Sequence, residues 1–252
     1  MTRPILLIGG LDSSGGAGIA RDLLAVHDAG LTARIAVTAV TAQTDRAVLA
    51  VNPVSPDLLA AQIEAALEDG VGAVKIGALC NAGLVRTVAA RLPDVPVVLD
   101  PVLCSSSGHA LLESEGIQAL LDLLLPRTTV LTPNLPELAA LKSALNLDPA
   151  TEQDDVAGAL LDRGCQSVLL KGGHNGHSTY STDILYQANC SPLSFRSMRY
   201  PFDLRGTGCQ LASGVAAALA DGRSISDAIR AARRSLEKRF QKVGEGCAMA
   251  SA

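Results

Sequence analysis

Short apolar runs alternate along this chain with longer stretches of helical spacing, and almost every run closes on glycine or a polar residue. Residues 5–8 (Ile-Leu-Leu-Ile) form the first run and close on Gly9-Gly10, the pattern of a buried strand. Helical spacing follows over residues 19–28 and stops at Gly30. Residues 35–40 read as a second strand ending in Thr41-Ala42-Gln43. Ser55-Pro56 joins an N-cap to a first-turn proline and starts a helix that reaches about Asp69. Residues 74–76 are a third strand, 81–91 a helix, and Val97–Leu99 a fourth strand that ends in Asp100-Pro101. A helix over 114–125 precedes a fifth strand at 129–131, which ends in Thr132-Pro133-Asn134-Leu135-Pro136-Glu137 and a further helix. Thr151 with Asp154 suggests a capping box for a helix to Arg163. Ser167–Leu170 is the sixth strand, ending in Lys171-Gly172-Gly173-His174.

Strand, loop and helix in this rhythm predict a doubly wound, mostly parallel sheet covered by helices on both faces. Such sheets bind ligands beyond the carboxyl ends of their strands. Those ends carry Gly9-Gly10, Gln43, Asp100, Asn134 with Glu137, and Lys171. Residues 176–201 break the rhythm, with short antiparallel strands expected at 183–186 and 194–196. They lead to Arg205-Gly206-Thr207-Gly208-Cys209 and a small-residue helix that Asp221-Gly222 would end. A last helix is expected over 224–240 with Asp227 at its capping-box position, then a frayed tail over 244–252. Without a repeat or a linker, residues 1–243 read as one domain.

Composition narrows the function. The 252 residues carry a net charge of −4 and only 2% aromatics, and no basic stripe interleaved with aromatics appears, which argues against a nucleic-acid partner. Arg230, Arg233, Arg234, Lys238 and Arg239 are spaced as the solvated face of a terminal helix. Cys80, Cys104, Cys165, Cys190, Cys209 and Cys247 show neither C-x-x-C nor metal-ligand spacing, so free thiols in a reducing compartment are expected. No run approaches a membrane span of ~20 apolar residues, and the N-terminal apolar run is too short for a signal peptide. A cytoplasmic protein with no membrane partner is expected.

The glycine turn at 206–208 would leave backbone N–H groups bare at a helix start, where the dipole favours an anion and a thiolate at Cys209. An ordinary tight turn, with Cys209 as a small buried apolar residue, competes with that reading. Spacing after residue 8 fails the dinucleotide fingerprint. An anion cradle without a P-loop lysine, together with strand-end carboxylates and a lysine, points to phosphoryl transfer outside the P-loop class. Asp100 and Glu137 could hold Mg²⁺ directly or through water, and Lys171 could meet nucleotide phosphates.

Seven segments then occur in one order: residues 10–19 (Gly-Leu-Asp-Ser-Ser-Gly-Gly-Ala-Gly-Ile), Thr-Ala-Gln at 41–43, Val-Lys-Ile-Gly at 74–77, Leu-Asp-Pro-Val at 99–102, Thr-Pro-Asn-Leu-Pro-Glu at 132–137, Lys-Gly-Gly-His at 171–174, and Gly-Thr-Gly-Cys at 206–209. In these the chain resembles the hydroxymethylpyrimidine/phosphomethylpyrimidine kinases of thiamine biosynthesis, within the ribokinase-like superfamily. The resemblance implies a three-layer αβα fold and ATP- and Mg²⁺-dependent phosphorylation of 4-amino-5-hydroxymethyl-2-methylpyrimidine and its monophosphate. It implies an anion hole at Gly206, Thr207, Gly208 and Cys209, with Cys209 near the attacking oxygen. It also implies ring binding by Gly10, Asp22 and Gln43, phosphate binding by Asn134 and Lys171, and Mg²⁺ at Asp100 and Glu137. The partners are then ATP and a small aminopyrimidine alcohol, with a homodimer as the candidate assembly.

The chain departs from that family at four places. Ala78 stands where Met is usual, Ser106 where a lysine is usual, Asp45-Arg46 follow Gln43, and the lead-in to Gly206 is Pro201-Phe202-Asp203-Leu204-Arg205. Arg205 could compensate at the phosphates for the lysine absent at Ser106. Ala78 keeps a pyridoxal or pyridoxine kinase open as an alternative, and the altered lead-in keeps open a pyrimidine-binding relative without catalysis.

Overall fold

The computed structural model describes residues 3–105, 108, 110–172 and 179–250. Ser106, Ser107, Gly173 and His174, which the sequence motifs include, lie outside the described residues. The strands are β1 (Ile5–Asp12), β2 (Ala33–Gln43), β3 (Val48–Pro53), β4 (Ala73–Ile76), β5 (Val97–Leu99), β6 (Val130–Leu131), β7 (Ser167–Leu170), β8 (Tyr180–Gln187) and β9 (Leu193–Met198). The helices are α1 (Gly18–Asp28), α2 (Pro56–Leu67), α3 (Ala82–Ala89), α4 (Ser114–Ala119), α5 (Leu135–Ala144), α6 (Gln153–Asp162), α7 (Thr207–Ala220) and α8 (Ile225–Ala250).

One sheet runs in the order β3-β2-β1-β4-β5-β6-β7-β8-β9. From β2 to β7 all neighbours are parallel, while β3 and the pair β8 and β9 close the two edges antiparallel. Period-two alternation divides each central strand between two apolar layers. Leu6, Ile8, Val74, Ile76, Leu99, Leu131 and Leu170 share one cluster with Leu59, Ile63, Leu84, Leu138, Leu141 and Leu160 of α2, α3, α5 and α6. Ile5, Leu7, Ala73, Val98, Val130 and Leu169 share the other with Val26 of α1, Leu211, Val215 and Ala216 of α7, and Ile229 of α8. The chain therefore has the three-layer αβα, ribokinase-like arrangement. Because β1 lies between β2 and β4, the direction of winding reverses beside β1, and the carboxyl ends there are where such sheets form their ligand crevice.

Small residues let α7 sit low on the sheet. A Cβ on Gly214 would approach Cβ of Ala232 in α8 to 3.0 Å, so the two helices cross in close contact.

Some elements differ from the sequence reading. Strand β3 was not anticipated, because an edge strand with one side open to water and Pro53 at its end lacks a clean alternation. The helix expected over 114–125 is α4 followed by a π turn at Leu120–Leu124 and a 3-10 turn at Leu125–Arg127, where Pro126 cannot continue an α-helix. The Thr151…Asp154 box does not form. Asp154 instead accepts a 2.6 Å hydrogen bond from the Tyr186 hydroxyl, and Glu152, the N-cap residue of α6, makes no side-chain cap.

At the other end, α8 continues to Ala250, past the expected stop at Phe240, so residues 244–250 are helical rather than a frayed tail. The aromatic rings explain the extension. Phe240 stacks on Tyr200 with centroids 4.9 Å apart and lies 5.8 Å from Phe202, against whose ring Gly244 also packs. The basic face of α8 is not simply solvated either. Arg233 pairs with Asp183 and donates to Ser197. Cys80, Cys104, Cys165, Cys190 and Cys209 are free thiols, and no described helix is long and apolar enough to cross a membrane.

Candidate active site

Helix α7 begins on Gly206, whose φ of 70° is the left-handed conformation glycine accepts readily. A Cβ there would also collide with the carbonyl oxygen of Gly16. The first intrahelical bond runs from the Gln210 N–H to the Gly206 oxygen at 2.9 Å. No side chain caps this start, so the N–H groups of Thr207, Gly208 and Cys209 point out of the helix with its positive dipole end behind them. The turn can hold the oxygens of a phosphoryl group.

A lysine stands beside it. A Cβ on Gly208 would lie 3.3 Å from the Lys171 ammonium. The ends of β6 and β7 are tied by a bridge between Asn134 and Lys171, which carries the lysine to the same rim. There its Nζ donates to Asp100 Oδ1 at 2.7 Å and lies 3.7 Å from Glu137 Oε2. Thr132 Oγ1 donates to the same Asp100 oxygen at 3.1 Å. Asn134 and Glu137 form a reciprocal capping box on α5. The Asn134 N–H donates to Glu137 Oε2 and the Glu137 N–H to Asn134 Oδ1, each at 2.8 Å. This leaves the Asn134 amide NH₂ to face a ligand.

The charges of this cluster are unequal. Burial opposes ionisation of Asp100, but Lys171, Lys75 and Thr132 overcome it and hold the carboxyl below its usual range. Glu137 goes the other way: burial and the Asp100 charge outweigh Lys171 and push it up to about 7. A carboxyl raised on folding contributes stability that is complete below its unfolded pKa and lost as pH rises through the folded value. Glu137 thus costs stability progressively between about 4.5 and about 7. Glu137→Gln keeps the acceptor for the Asn134 N–H. Thermal melts are expected to show it matching wild type near pH 4.5 and exceeding it at pH 8, and equal melting temperatures at pH 8 would count against a raised pKa.

Beneath the turn lies a second pair. Asp22 of α1 is fully buried and Lys75 of β4 is 1% exposed, with Lys75 Nζ 2.8 Å from Asp22 Oδ2. Ser213 Oγ donates to the other carboxylate oxygen at 2.7 Å. Asp22 is thereby tied to Lys75 and Ser213 through both of its oxygens. Burial works against the Lys75 charge, but Asp22, Cys209 and Asp100 hold its proton firmly. Gly77 leaves space for this ammonium, since a Cβ there would stand 2.9 Å from it.

Cys209 is half-buried at the start of α7. The helix start was expected to favour thiolate. Instead burial, reinforced by Asp22 and Asp100, outweighs Lys75 and pushes the thiol up to about 11, so it rests protonated.

Gly10, two residues before the end of β1, and Gln43, the last residue of β2, are both half-buried. Ala78 follows β4, its Cβ 3.9 Å from where a Gly10 Cβ would stand. Arg205 is turned toward these strand ends. Its guanidinium donates to Ser14 Oγ and Asp45 Oδ1, each at 2.7 Å, and to Asp12 Oδ2 at 3.1 Å. None of these partners belongs to the Asp100–Glu137–Lys171 group. Two of the chain's departures from the resembled family, Asp45 and Arg205, thus meet each other.

Sequence reasoning passed over Lys75, Thr132 and Ser213. For Lys75 a signal was present: a lysine inside an apolar strand run is almost never buried without a partner. Elsewhere, a cleft of about 800 Å³ opens at the far ends of the strands between Pro93, Arg127, Gln166 and Arg223. It holds none of these groups, which gather at the carboxyl-end rim.

Residues 12–251 match the phosphomethylpyrimidine kinase family. The chain belongs to that family. A hydroxymethylpyrimidine/phosphomethylpyrimidine kinase of Mycobacterium tuberculosis is 43% identical over 93% of this chain and 87% of its own length. Among solved structures, a phosphomethylpyrimidine kinase of Clostridium difficile superposes with a TM-score of 0.78 at 31% identity, over 94% of this chain and 99% of that one. A pyridoxal kinase of Staphylococcus aureus in complex with pyridoxal gives a TM-score of 0.84 at 26% identity, over 96% and 88% of the two chains. The same kinase in complex with ADP gives 0.82 at 27% identity, over 94% and 87%. As a member of a kinase family, the chain uses a small-molecule acceptor and ATP as co-substrate.

Proposed function

We propose that the chain transfers the γ-phosphoryl group of ATP to 4-amino-5-hydroxymethyl-2-methylpyrimidine and then to its monophosphate, in the cytoplasm. The observation that carries this reading is the Lys171 ammonium, held between the bare N–H groups of the Gly206 turn and the carboxylates of Asp100 and Glu137. Phosphoryl transfer needs alignment and charge neutralisation more than covalent help, and this cluster supplies both. The turn receives the equatorial oxygens of the transferring group, while Lys171 and the Asn134 amide meet the nucleotide phosphates. Asp100 and Glu137 fit Mg²⁺: they are hard oxygen donors on one rim, and that ion commonly takes one or two carboxylates with waters and phosphates. Bound there, Mg²⁺ would supply further neutralisation of phosphate charge.

Gly10 and Gln43 take the ring, whose amino group and ring nitrogens match an amide's acceptor and donors. Cys209 orients the attacking hydroxyl. A thiol that keeps its proton to about 11 is a poor base at neutral pH, and a loose transition state asks little of one. Asp22 acts from below, through Lys75 and Ser213. Arg205 reaches a phosphate only by exchanging Asp45, its exposed partner.

The test is a coupled assay of ATP consumption with the hydroxymethylpyrimidine and Mg²⁺, with product mass separating mono- from diphosphate. ATP-dependent appearance of both products is expected. Ring binding without ATP consumption would instead identify a non-catalytic relative. A second reading, pyridoxal phosphorylation, is favoured by the small Ala78 side chain at the ring pocket and by the likeness to pyridoxal kinases. The ratio of kcat/KM for the two rings decides it, and the pyrimidine is expected to lead.

A further inference from the structure

We propose that Arg239, on the last helix, is a positioning residue for the phosphoryl-binding turn. Its guanidinium donates through Nη1 to Gln210 Oε1 and through Nη2 to the Arg205 carbonyl, each at 2.9 Å. These two acceptors bracket Gly206–Cys209, one residue before the turn and one after it. The planar fork of an arginine spans them without rotamer loss at each bond, as a lysine could not.

The surrounding packing gives the fork a fixed base. The next residue, Phe240, stacks on Tyr200 at an interplanar angle of 13° and touches Phe202. The chain has three Phe and three Tyr, and half of them gather where α8 meets the segment entering the turn. The Arg205 side chain leaves in another direction, to Asp12, Ser14 and Asp45, so its carbonyl is left to Arg239. Gln210 is itself only 4% exposed, and its N–H makes the first bond of α7. Rotation of the peptide between Arg205 and Gly206 would change how the chain enters the turn, and Arg239 opposes that rotation from α8. Arg233, six residues earlier on the same helix, provides the contrast. It fixes β8 and β9 through Asp183 and Ser197 and makes no contact with the turn.

The activity arm of the test rests on the kinase reading; the exchange arm does not. Arg239→Ala is expected to lower kcat for the hydroxymethylpyrimidine about 10–100-fold with its KM within about threefold, since small misplacements of aligned donors cost rate rather than binding. Hydrogen exchange at the Gln210 amide should quicken about tenfold or more. Arg239→Lys should recover part of the rate, because an ammonium can reach one acceptor at a time. Arg233→Ala should lower the melting temperature and leave the Gln210 amide unchanged. The proposal is overturned by an Arg239→Ala protein with kcat within about twofold of wild type and unchanged Gln210 exchange, or by equal losses of rate and protection in Arg233→Ala. Quickened exchange in Arg239→Ala beside a wild type that never phosphorylates the pyrimidine would support the positioning role and reject the kinase reading instead.

Discussion

Lys171→Met is expected to lower kcat/KM for the hydroxymethylpyrimidine by about 10²–10³-fold, the range seen when one preorganised donor to a developing charge is removed. Steady-state kinetics with ATP and Mg²⁺ measure it. The lysine also stands between Asp100 and Glu137, so its loss leaves two carboxylates near each other without their cation. Glu137, already raised to about 7, would then hold its proton to higher pH, and the variant should lose most activity where wild type gains most. Lys171→Arg separates charge from shape. It keeps the positive charge for folding but cannot place a compact ammonium beside Gly208, so a large rate loss is expected with a melting temperature near wild type. An arginine variant as active as wild type would mean that net charge alone suffices at this position.

The second large effect is on stability. Lys75→Met should destabilise the protein by about 3–5 kcal/mol, because it strands the fully buried Asp22 carboxylate without its cation. Replacing both partners, as Lys75→Met with Asp22→Leu, should restore much of that loss, since the expensive state is one charge buried alone. The sign of the pH dependence follows. Burial already pushes Asp22 above the ordinary carboxylate range, and a buried acid raised in the fold stabilises at low pH and loses that contribution as pH rises. The Lys75→Met deficit should therefore shrink on acidification, as read by denaturant melts. A double variant less stable than the single one would show that the pair stabilises the fold rather than merely satisfying itself.

The reach of the sequence differed between parts of the molecule for physical reasons. The parallel strands were legible because both of their faces are buried, which leaves unbroken apolar runs such as Val97–Leu99 and residues 168–170. Strand β3 was not, since an edge strand owes its state to β2 beside it rather than to its own pattern. The Asp100, Asn134, Glu137 and Lys171 rim could be assembled from strand ends because topology alone sends those ends to one side. The state of Cys209 could not. A helix start favours thiolate, and only the three-dimensional surroundings show burial outweighing it. Arg205 and Asp45 are 160 residues apart and were separate oddities until the fold joined them. Arg239 was read as one member of a solvated face, since nothing in the spacing of a basic helix tells which arginine turns inward.

The hydrogen bond between Ser213 and Asp22 spans 191 residues, and this has a consequence for synthesis. At translation rates of about 5–20 residues per second, roughly 10–40 s separate the emergence of the two partners. Through that interval the nascent sheet carries Ile5, Leu7, Val98 and Val130 on a face that α7 and α8 have yet to cover. The phosphoryl-binding turn arrives with the same late segment. The apolar flank and the chemistry are thus completed together, when α7 and α8 emerge.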